Sequence, residues 1–442
     1  MKQQNRVLAL LLTAAVVSLQ LAGCVNAVPA KREKISLTFK IPTLATSCVT
    51  NPDIKEAFDM FETSTREFAA QYKDADVTFN LVKFDLADET KYIPDCFDKE
   101  DAADLLYEDF FNMSTYIYTG RMVPLDDILD DAWKQDMDSS YWSMGSAQGK
   151  VYMLPFLSRQ NVLGYHKSML LQCGLDRFIS DEKIGTWTLE QWEEILKTLK
   201  EKLPENTYAL SMYAKNEQSD THTMTWIRSH GSDFFNGDGY FNLETPEGIA
   251  GLKWLKDSYD KGYYPPECEN LVSRDCGNLF WNNQLAIKLI NGPGEDTNNR
   301  DIGLVNFPSA DGKGLATMFV TGFGVFDNGN PKKVAAAKAF LKYFYGTDKY
   351  LDYSAGNMPA SKKVAEKYHD KIYRLDAFRE NADRVVDFMD NNPNWRGVRS
   401  VFYKYMQKLF RGELTPEETA SGLDEDCNAA IRKGREEGKL HQ

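Results

Sequence analysis

The chain has 442 residues, of which 43% are hydrophobic and 26% are charged, and this composition excludes a protein without a folded core. The formal net charge of −13 argues against a nucleic-acid backbone or an anionic membrane surface as the main partner. Aromatic residues make up 12% of the chain, more than a core requires, which indicates that some rings serve a binding face.

The first residues have the pattern of an export signal. Lys2 and Arg6 precede an apolar run, residues 7–22, that is too short and too loosely apolar for a good membrane span. The run ends in Leu21-Ala22-Gly23-Cys24, which resembles the lipobox of bacterial lipoproteins. That resemblance implies removal of residues 1–23, acylation of Cys24, a linker over 24–35 and a lipid-anchored protein on the outside of a bacterial, Gram-positive membrane. The alternative is an ordinary signal peptide with a chance cysteine.

The next residues predict a βαβ unit. Alternating apolar residues predict strands at 35–39 and 77–82, and an amphipathic helix over 52–72 lies between them. A third strand is predicted at 104–107. In open α/β sheets the ligand crevice lies past the carboxyl ends of the strands, so we expect a site in the loops after Phe39 and Tyr107.

Four helix starts are marked by capping residues. Capping boxes begin at Thr188 and at Thr415, while Thr245-Pro246 and Asn330-Pro331 each place a proline in the first turn. Helices therefore alternate with strands along the whole chain, and the predicted fold class is α/β.

The cysteines permit disulfides without fixing them. Apart from Cys24 there are six, an even number, and 15 pairings are possible outside the cytoplasm. Cys268 and Cys276 are the favoured pair because they lie eight residues apart around a turn-rich stretch. Six unpaired core thiols are the equal alternative. Zinc-ligand spacing and hydrolase motifs are absent from the sequence, and we predict no metal, no cofactor and no catalytic residue.

Several stretches, in order along the chain, resemble the extracellular solute-binding proteins of ABC importers, in the branch that includes maltose-binding protein. The resemblance covers nearly all of the chain after Cys24. The matching stretches are Gly149–Phe156 with Tyr165-His166-Lys167, Gly174 with Thr186-Trp187-Thr188, Phe241–Glu247 with Tyr259–Gly262, and Thr321–Gly324 with Asn330-Pro331 and Asn357–Ala360.

The resemblance implies a two-lobed periplasmic-binding-protein-like fold of type II, with a ligand cleft between the lobes. The first lobe would comprise residues 36–160 and 309–350, and the second 165–303 and 354–438. The implied function is capture of a carbohydrate, in the first place an oligosaccharide, by hinge closure and its delivery to the ABC permease subunits in the membrane. The protein would act as a monomer without enzymatic activity or nucleic-acid partner. A secreted glycoside hydrolase is the alternative.

Sugar recognition needs aromatic faces and planar hydrogen-bonding groups, and candidates are placed where relatives contact their ligands. Glu108 and Asn112 follow the third strand, Arg159 follows the Pro-Phe segment, and Asp220 and Trp226 lie in a loop and helix start of the second lobe. For each, a structural role is the alternative.

One departure from the family concerns the stacking ring. Gly294-Glu295-Asp296 stands where relatives have a tryptophan, so Phe323 and Trp395 are the predicted substitutes. Arg396 follows Trp395 at the start of a late helix and completes the predicted ligand-binding residues. Together with Arg159 and Arg399 it suggests a ligand with an acidic group.

Overall fold

The computed structural model describes residues 32–43, 56–84, 102–118, 120–180, 183–293, 300–347, 357–387, 389, 392 and 394–439. The predicted signal peptide, Cys24 and Gly294-Glu295-Asp296 lie outside these residues. No helix in the described ranges combines the length and the apolar character needed to cross a membrane.

Strands and helices alternate along the described chain. The strands are β1 (Lys34–Pro42), β2 (Asp76–Phe84), β3 (Leu105–Asp109), β4 (Ser146–Ala147), β5 (Lys150–Val151), β6 (Leu154–His166), β7 (Tyr208–Leu210), β8 (Leu285–Asn291), β9 (Ile302–Val305), β10 (Thr317–Val325) and β11 (Met358–Pro359). The helices are α1 (Ala57–Gln71), α2 (Phe110–Tyr118), α3 (Asp131–Asp136), α4 (Ser139–Met144), α5 (Lys167–Gln172), α6 (Leu189–Lys202), α7 (Ser219–Ser229), α8 (Pro246–Asp260), α9 (Ser273–Trp281), α10 (Pro331–Gly346), α11 (Lys362–Tyr368), α12 (Leu375–Glu380), α13 (Trp395–Phe410) and α14 (Pro416–Lys439).

The predicted βαβ unit is confirmed. β1 and β2 pair in parallel along their whole length, from Lys34 opposite Asp76 to Pro42 opposite Phe84. α1 connects them, beginning at Ala57 rather than at residue 52. β3 joins β1 in parallel on its other side, so the carboxyl ends of β1 and β3 lie at the same edge of the sheet.

Within the described ranges, nine strands form one mixed sheet in the order β2-β1-β3-β10-β6-β8-β7, with β9 and β11 also paired to β6. β6 is the strand on which this sheet depends. Its first part, Leu154 to Asn161, is antiparallel to β10, and its second part, from Asn161 onward, is antiparallel to β8. A Cβ on Gly164 would lie 2.4 Å from the side chain of Ile290, so glycine is required for this close strand pairing.

The core contains two aromatic clusters, one on each side of the middle of β6 along the sheet. The first, which we call the phenylalanine cluster, comprises Phe39, Phe61, Tyr107, Phe156, Phe323 and Phe344. The second, the tryptophan cluster, comprises Trp187, Trp192, Trp226, Trp254 and Phe307. Aromatic side chains bury large areas, and each cluster holds its own set of helices against the sheet.

The predicted helix starts are confirmed by their caps. At Thr188 both bonds of the capping box are present: the Gln191 backbone N–H donates to the threonine hydroxyl, and the Gln191 side chain accepts from the Thr188 N–H. Thr415 and Glu418 form the same pair of bonds. The hydroxyl of Thr245 accepts from the Gly248 N–H, and the side chain of Asn330 accepts from two backbone N–H groups.

The predicted disulfide between Cys268 and Cys276 is wrong. Both thiols are free and buried, as are those of Cys173 and Cys427. The Cys276 thiol donates to the Met212 carbonyl, and burial raises its pKa to about 12, so it is an inert core thiol. Cys48 and Cys96 lie outside the described residues.

His222 is a buried neutral histidine on α7. It is fully shielded from solvent, its Nε2–H donates to the Ser211 carbonyl oxygen at 2.8 Å, and burial lowers its pKa to about 4. The unfolded chain, with an ordinary histidine pKa near 6.5, therefore binds a proton that the folded chain excludes between these two values.

We expect this histidine to weaken the fold as the pH falls from about 6.5 to 4, by roughly 3 kcal/mol, with no further loss below that pH. Urea unfolding of the wild type and of His222→Gln across pH 4 to 7 measures the effect. The free energy of unfolding of the wild type minus that of His222→Gln should be smaller by about that amount at pH 4 than at pH 7. His369→Gln, at an exposed histidine, is the control. A difference in the free energy of unfolding between the wild type and His222→Gln that stays constant with pH would contradict the prediction.

Candidate functional site

The middle of β6 places neighbouring side chains on opposite faces of the sheet. Successive residues of a strand alternate in direction, so Arg159 and Gln160 point to different sides. Arg159 lies opposite Phe319 of β10, and its Nε donates to Oδ1 of Asn357 at 2.8 Å. We describe first the face that carries Arg159.

One wall on this face is the junction of β3 and α2. Glu108 is fully buried and Asn112 nearly so. The Glu108 carboxylate accepts from the Asp109 backbone N–H at 2.8 Å, and Asp109 accepts from the backbone N–H of Asn112. Burial raises the pKa of the Asp109 carboxyl, and the positive charge of Arg399 acts in the opposite direction. Asp109 lies opposite Thr321 of β10 and Glu108 opposite Gly322, so the two carboxylates point to opposite faces of the sheet, and Asp109 is the one that shares a face with Phe319 and Arg159. The wall thus offers an acid and an amide at the carboxyl end of a strand, where the fold rule expects a ligand.

The opposite wall is formed by α7 and α13. Asp220, in the first turn of α7, is fully buried, and its Oδ2 accepts from Nε of Arg399 at 2.6 Å. Arg399 is one helical turn after Trp395, so both side chains lie on the same side of α13. A close pair between a buried carboxylate and a guanidinium with little exposure fixes both helices relative to each other.

The two walls meet at Phe111. The guanidinium carbon of Arg399 lies 4.9 Å from the centroid of the Phe111 ring, in a cation–π contact. The Trp395 ring is nearly parallel to the Phe111 ring, and their centroids are 6.5 Å apart. The centroid of the Phe319 ring, on β10, lies 4.6 Å from that of Phe111. We call this group, which combines three rings with polar side chains from both walls, the crossing-strand cluster: Asp109, Phe111, Asn112, Arg159, Asp220, Phe319, Trp395 and Arg399.

The structure brings four of the predicted ligand-binding residues together in this cluster: Asn112, Arg159, Asp220 and Trp395. The expected position of Glu108 is corrected, because this residue lies opposite Gly322 and points to the other face of the sheet. Arg396 lies beside the cluster at the start of α13 and is partly buried. Whether any of them contacts a ligand stays a prediction at this point.

Trp226 and Phe323 lie elsewhere, and their expected position beside a cleft is corrected. Both rings are fully buried. Trp226 stacks on Trp254 at 4.4 Å within the tryptophan cluster, and Phe323 contacts Phe61 at 5.2 Å within the phenylalanine cluster. The physical reason is that each ring projects toward helices packed on its own part of the sheet, away from the place where the two walls meet.

Sequence reasoning missed Asp109, Phe111 and Phe319 as members of the cluster. Asp109 and Phe111 do follow the third strand, which was a recognised site position. Paired phenylalanines at a helix start are typical of a core, however, and Phe319 has the alternating pattern of any buried strand. Only the approach of α13, nearly 300 residues later in the chain, shows that Phe111 is shared between two walls.

The charges of the cluster nearly balance. Asp109 and Asp220 oppose Arg159 and Arg399, and Arg396 follows directly after Trp395 on α13. The two arginines within the cluster have partners, namely Asn357 for Arg159 and Asp220 for Arg399. Among the described residues no group of histidines, cysteines and acids is arranged to hold a metal ion. The arrangement suits a ligand recognised by hydrogen bonds and ring contacts.

The Asp220–Arg399 pair gives a stability prediction. Asp220→Asn leaves the guanidinium with little exposure and without its nearest carboxylate, so we expect a loss of roughly 3 kcal/mol in the free energy of unfolding. Urea unfolding measures it, and the exposed pair of Arg177 and Glu194 provides the matched control, since Glu194→Gln should cost less than about 1 kcal/mol. Equal losses in both variants would show that the inner pair does not support the fold.

Comparison with known proteins places this geometry in a family. The sequence matches the family model described as bacterial extracellular solute-binding protein over residues 54–350. A Brucella abortus (strain 2308) protein, whose name describes it only as a binding protein, is 21% identical over 335 residues, which cover 72% of this chain and 77% of the relative.

Solved structures with the same fold include three whose titles name a sugar. A chitin oligosaccharide binding protein has a TM-score of 0.71 at 19% identity, covering 90% of this chain and 99% of its own. The cyclic α-maltosyl-1,6-maltose binding protein of Arthrobacter globiformis has a TM-score of 0.69 at 17% identity, covering 90% and 100%. Maltose-bound MalE3 of T. maritima has a TM-score of 0.68 at 16% identity, covering 89% and 99%. These similarities confirm the predicted α/β fold of the two-lobed periplasmic-binding-protein type.

Proposed function

Since the chain belongs to the family of bacterial extracellular solute-binding proteins, we propose that it captures a carbohydrate outside the cell and delivers it to an ABC permease. The observation that carries the proposal is the meeting of two polar and aromatic walls at Phe111, beside the strand that crosses the middle of the sheet. Capture without chemical conversion is the function that we propose.

The chemistry of the crossing-strand cluster supports a sugar as the ligand. A pyranose presents an apolar C–H face, which packs on aromatic rings, and pairs of hydroxyl groups, which bond to planar carboxylate, amide and guanidinium groups. Phe111 and Trp395 supply rings, and Asp109, Asn112 and Arg159 supply the planar groups. Structurally similar proteins bind maltose, cyclic maltosyl-maltose and chitin oligosaccharide, and an oligosaccharide of this kind is the substrate class that we propose.

Hinge closure is the proposed mechanism. We place the first lobe at residues 36–160 and 309–350 and the second at 165–303 and 354–438, so that the chain crosses between them within β6 and near 305–308. The third predicted crossing, near 350–354, lies outside the described residues. Bending at these crossings would separate Phe111 from Trp395 and Arg399 and open the cluster to solvent. A ligand that touches both walls binds the closed arrangement more tightly, and it therefore shifts the population toward closure.

The ion pairing favours a neutral sugar over the acidic ligand that three arginines suggest in the sequence. Arg399 is held by Asp220 at 2.6 Å and lies close enough to Asp109 to affect the pKa of that carboxyl. A ligand carboxylate would have to displace Asp220 and would meet Asp109 as a like charge. Neutral hydroxyl groups impose neither cost.

Isothermal titration calorimetry with chito-, malto- and laminari-oligosaccharides tests the proposal. We expect one of these classes to bind with a dissociation constant of about 1 μM or tighter and to raise the unfolding temperature. The same mixtures, analysed for shortened sugars after prolonged incubation, test the alternative of a glycoside hydrolase, which needs two carboxyl groups about 5 to 9 Å apart across the scissile bond. Turnover of the bound sugar would reject the binding-protein assignment.

Two variants separate ligand contact from core packing. Arg159→Gln should weaken sugar binding about tenfold, or about 1.4 kcal/mol, with little change in the unfolding temperature. Trp226→Phe should lower the unfolding temperature and leave sugar affinity unchanged, because its ring belongs to the tryptophan cluster. If Trp226→Phe weakened sugar binding and Arg159→Gln did not, the sugar site would not be at β6.

We propose that a lipid on Cys24 holds the exported protein at the outer face of the membrane, which keeps the captured sugar near the permease. Two or more acyl chains on one residue suffice for stable anchoring. Cys24→Ser is therefore expected to release the protein into the medium of an expressing bacterium, and mass spectrometry of the wild type should show an acylated N-terminal cysteine at residue 24. Wild type that is secreted with a free thiol would contradict the anchor.

A further inference from the structure

A cavity of about 690 Å³ lies on the other face of β6, which we call the rear cavity. Gln160 of β6 and Met318 of β10, which pair in register, lie at its floor. Residues 138–141 form one side, and residues 358–365 and 375–385 form the other. Because Arg159 and Gln160 alternate along the strand, this cavity and the crossing-strand cluster lie on opposite faces of the same sheet.

Hydrogen bonds hold the rear cavity in shape. The Gln160 side chain donates to the Phe378 carbonyl and accepts from Nδ2 of Asn381 at 2.9 Å. Asn381 and Asn306 exchange two bonds of 2.8 Å, which ties residues 302–307 to the same wall. These amides are buried and satisfied, so the floor of the cavity is pre-organised.

Polar contacts also join the two sides of the cavity. Nζ of Lys362 is 2.8 Å from Oδ1 of Asp138, and the Lys363 backbone N–H donates to Oδ1 of Asp136 at 2.9 Å. The Ser361 hydroxyl donates to the other oxygen of Asp136. By the lobe boundaries proposed above, these contacts run from the first lobe to the second, so the shape of the cavity depends on how the lobes are arranged.

The lining determines which ligand would fit. Apart from Gln160 the floor is apolar, with Met318, Met358 and Leu375, and the rim is acidic in excess. Two of its acids have cations at hand, because Lys362 is paired with Asp138 and Lys183 lies 3.2 Å from Glu380. Arg379 is closer to Glu366, at 3.4 Å, than to Asp376, at 3.9 Å. Asp376 and Asp383 therefore carry the excess negative charge of the rim.

We propose that the rear cavity is a second binding site, and that its ligand is an organic cation with an apolar body. The apolar body would rest on Met318, Met358 and Leu375, and the ammonium group would lie at the rim near Asp376 and Asp383. A volume of about 690 Å³ is within the range of pockets that hold small organic molecules, and an apolar floor with a few polar groups at its edge is their usual composition.

Occupation of the rear cavity would act on the sugar site. A ligand that contacts both sides of the cavity stabilises the arrangement in which the cavity has its present shape, and in that arrangement Phe111, Trp395 and Arg399 are in contact on the other face. The cation and the sugar thus favour the same arrangement, so each should tighten the binding of the other by the same factor. This coupling rests on the proposed function, whereas the site itself does not.

Calorimetric titration of the full chain with 4-phenylbutylamine, without any sugar present, tests the site. The probe carries an apolar body and one positive charge, and 4-phenylbutanol and 4-phenylbutyrate match its shape with no charge and with a negative charge. We expect the amine to bind about fivefold more tightly than the alcohol and the acid to bind least. Equal affinity for all three, or no binding of the amine, would overturn the proposal.

Variants locate the bound probe. Asp376→Asn combined with Asp383→Asn should weaken amine binding about threefold or more and leave the affinity for the alcohol unchanged. Ala365→Phe fills the cavity from α11 and should weaken both, and circular dichroism confirms that this variant is folded. Asp59→Asn, an exposed acid on α1 outside the cavity, is the matched control for charge. A loss of amine binding in Asp59→Asn equal to that in the double variant would show unspecific attraction to an acidic protein.

The coupling has its own measurement. Once a sugar that binds the wild type has been found, its dissociation constant is measured with and without saturating 4-phenylbutylamine. A several-fold tightening in the wild type, lost in Ala365→Phe, is the expected result. An unchanged sugar affinity while the amine is bound would overturn the coupling, and amine binding in a protein that binds no sugar would reject the proposed function alone.

Discussion

The central constraint of this structure is that one 13-residue strand, β6, belongs to both parts of the sheet. Its first part pairs with β10 and its second with β8 and β9, so each half of the molecule is hydrogen-bonded to the same continuous backbone. Side chains on a strand alternate, and the two halves therefore share two surfaces, one on each face of the middle of β6. Arg159 belongs to the first surface and Gln160 to the second.

Groups on these two surfaces differ in the kind of contact they make. On the Arg159 face, rings from distant helices meet around Phe111, and the buried acid Asp220 is offset by Arg399. On the Gln160 face, neutral amides exchange hydrogen bonds, and the charged residues stay at the exposed rim. Separating the partners of a buried ion pair leaves uncompensated charges, and breaking a buried amide network leaves unsatisfied hydrogen-bonding groups, so both surfaces resist separation of the elements that they join.

Local order was predictable from the sequence because its signals are local. The strands around α1 follow from alternation, and the bonds of Thr188 and Thr415 follow from capping residues three positions apart. The family resemblance supplied the fold class, which composition and periodicity leave open beyond α/β. Four of the eight predicted site residues came together because the position of a residue at a strand end or crossing is part of the fold. Glu108 did not, because neighbouring residues of a strand point to opposite faces.

The remaining predictions failed where the packing partner is distant in the chain. A tryptophan on a helix has the same local pattern whether it faces Trp254 in a core or Phe111 across a junction, and Trp226 and Trp395 are equally buried. The disulfide prediction failed for a related reason, since a separation of eight residues says nothing about the direction of the two thiols, and the Cys276 thiol points to the Met212 carbonyl. Both cases require the tertiary arrangement.

The aromatic surplus of the sequence is mostly taken up by the phenylalanine cluster and the tryptophan cluster, which lie at different parts of one sheet within one continuous core. Large rings bury much apolar area per residue, which suits a chain that packs helices on two parts of the same sheet. Among the described rings, Phe111, Phe319 and Trp395 join α2, β10 and α13. The rings that distinguish a binding protein from any protein with an aromatic core are therefore few, and they are identified by which elements they join, not by their number in the sequence.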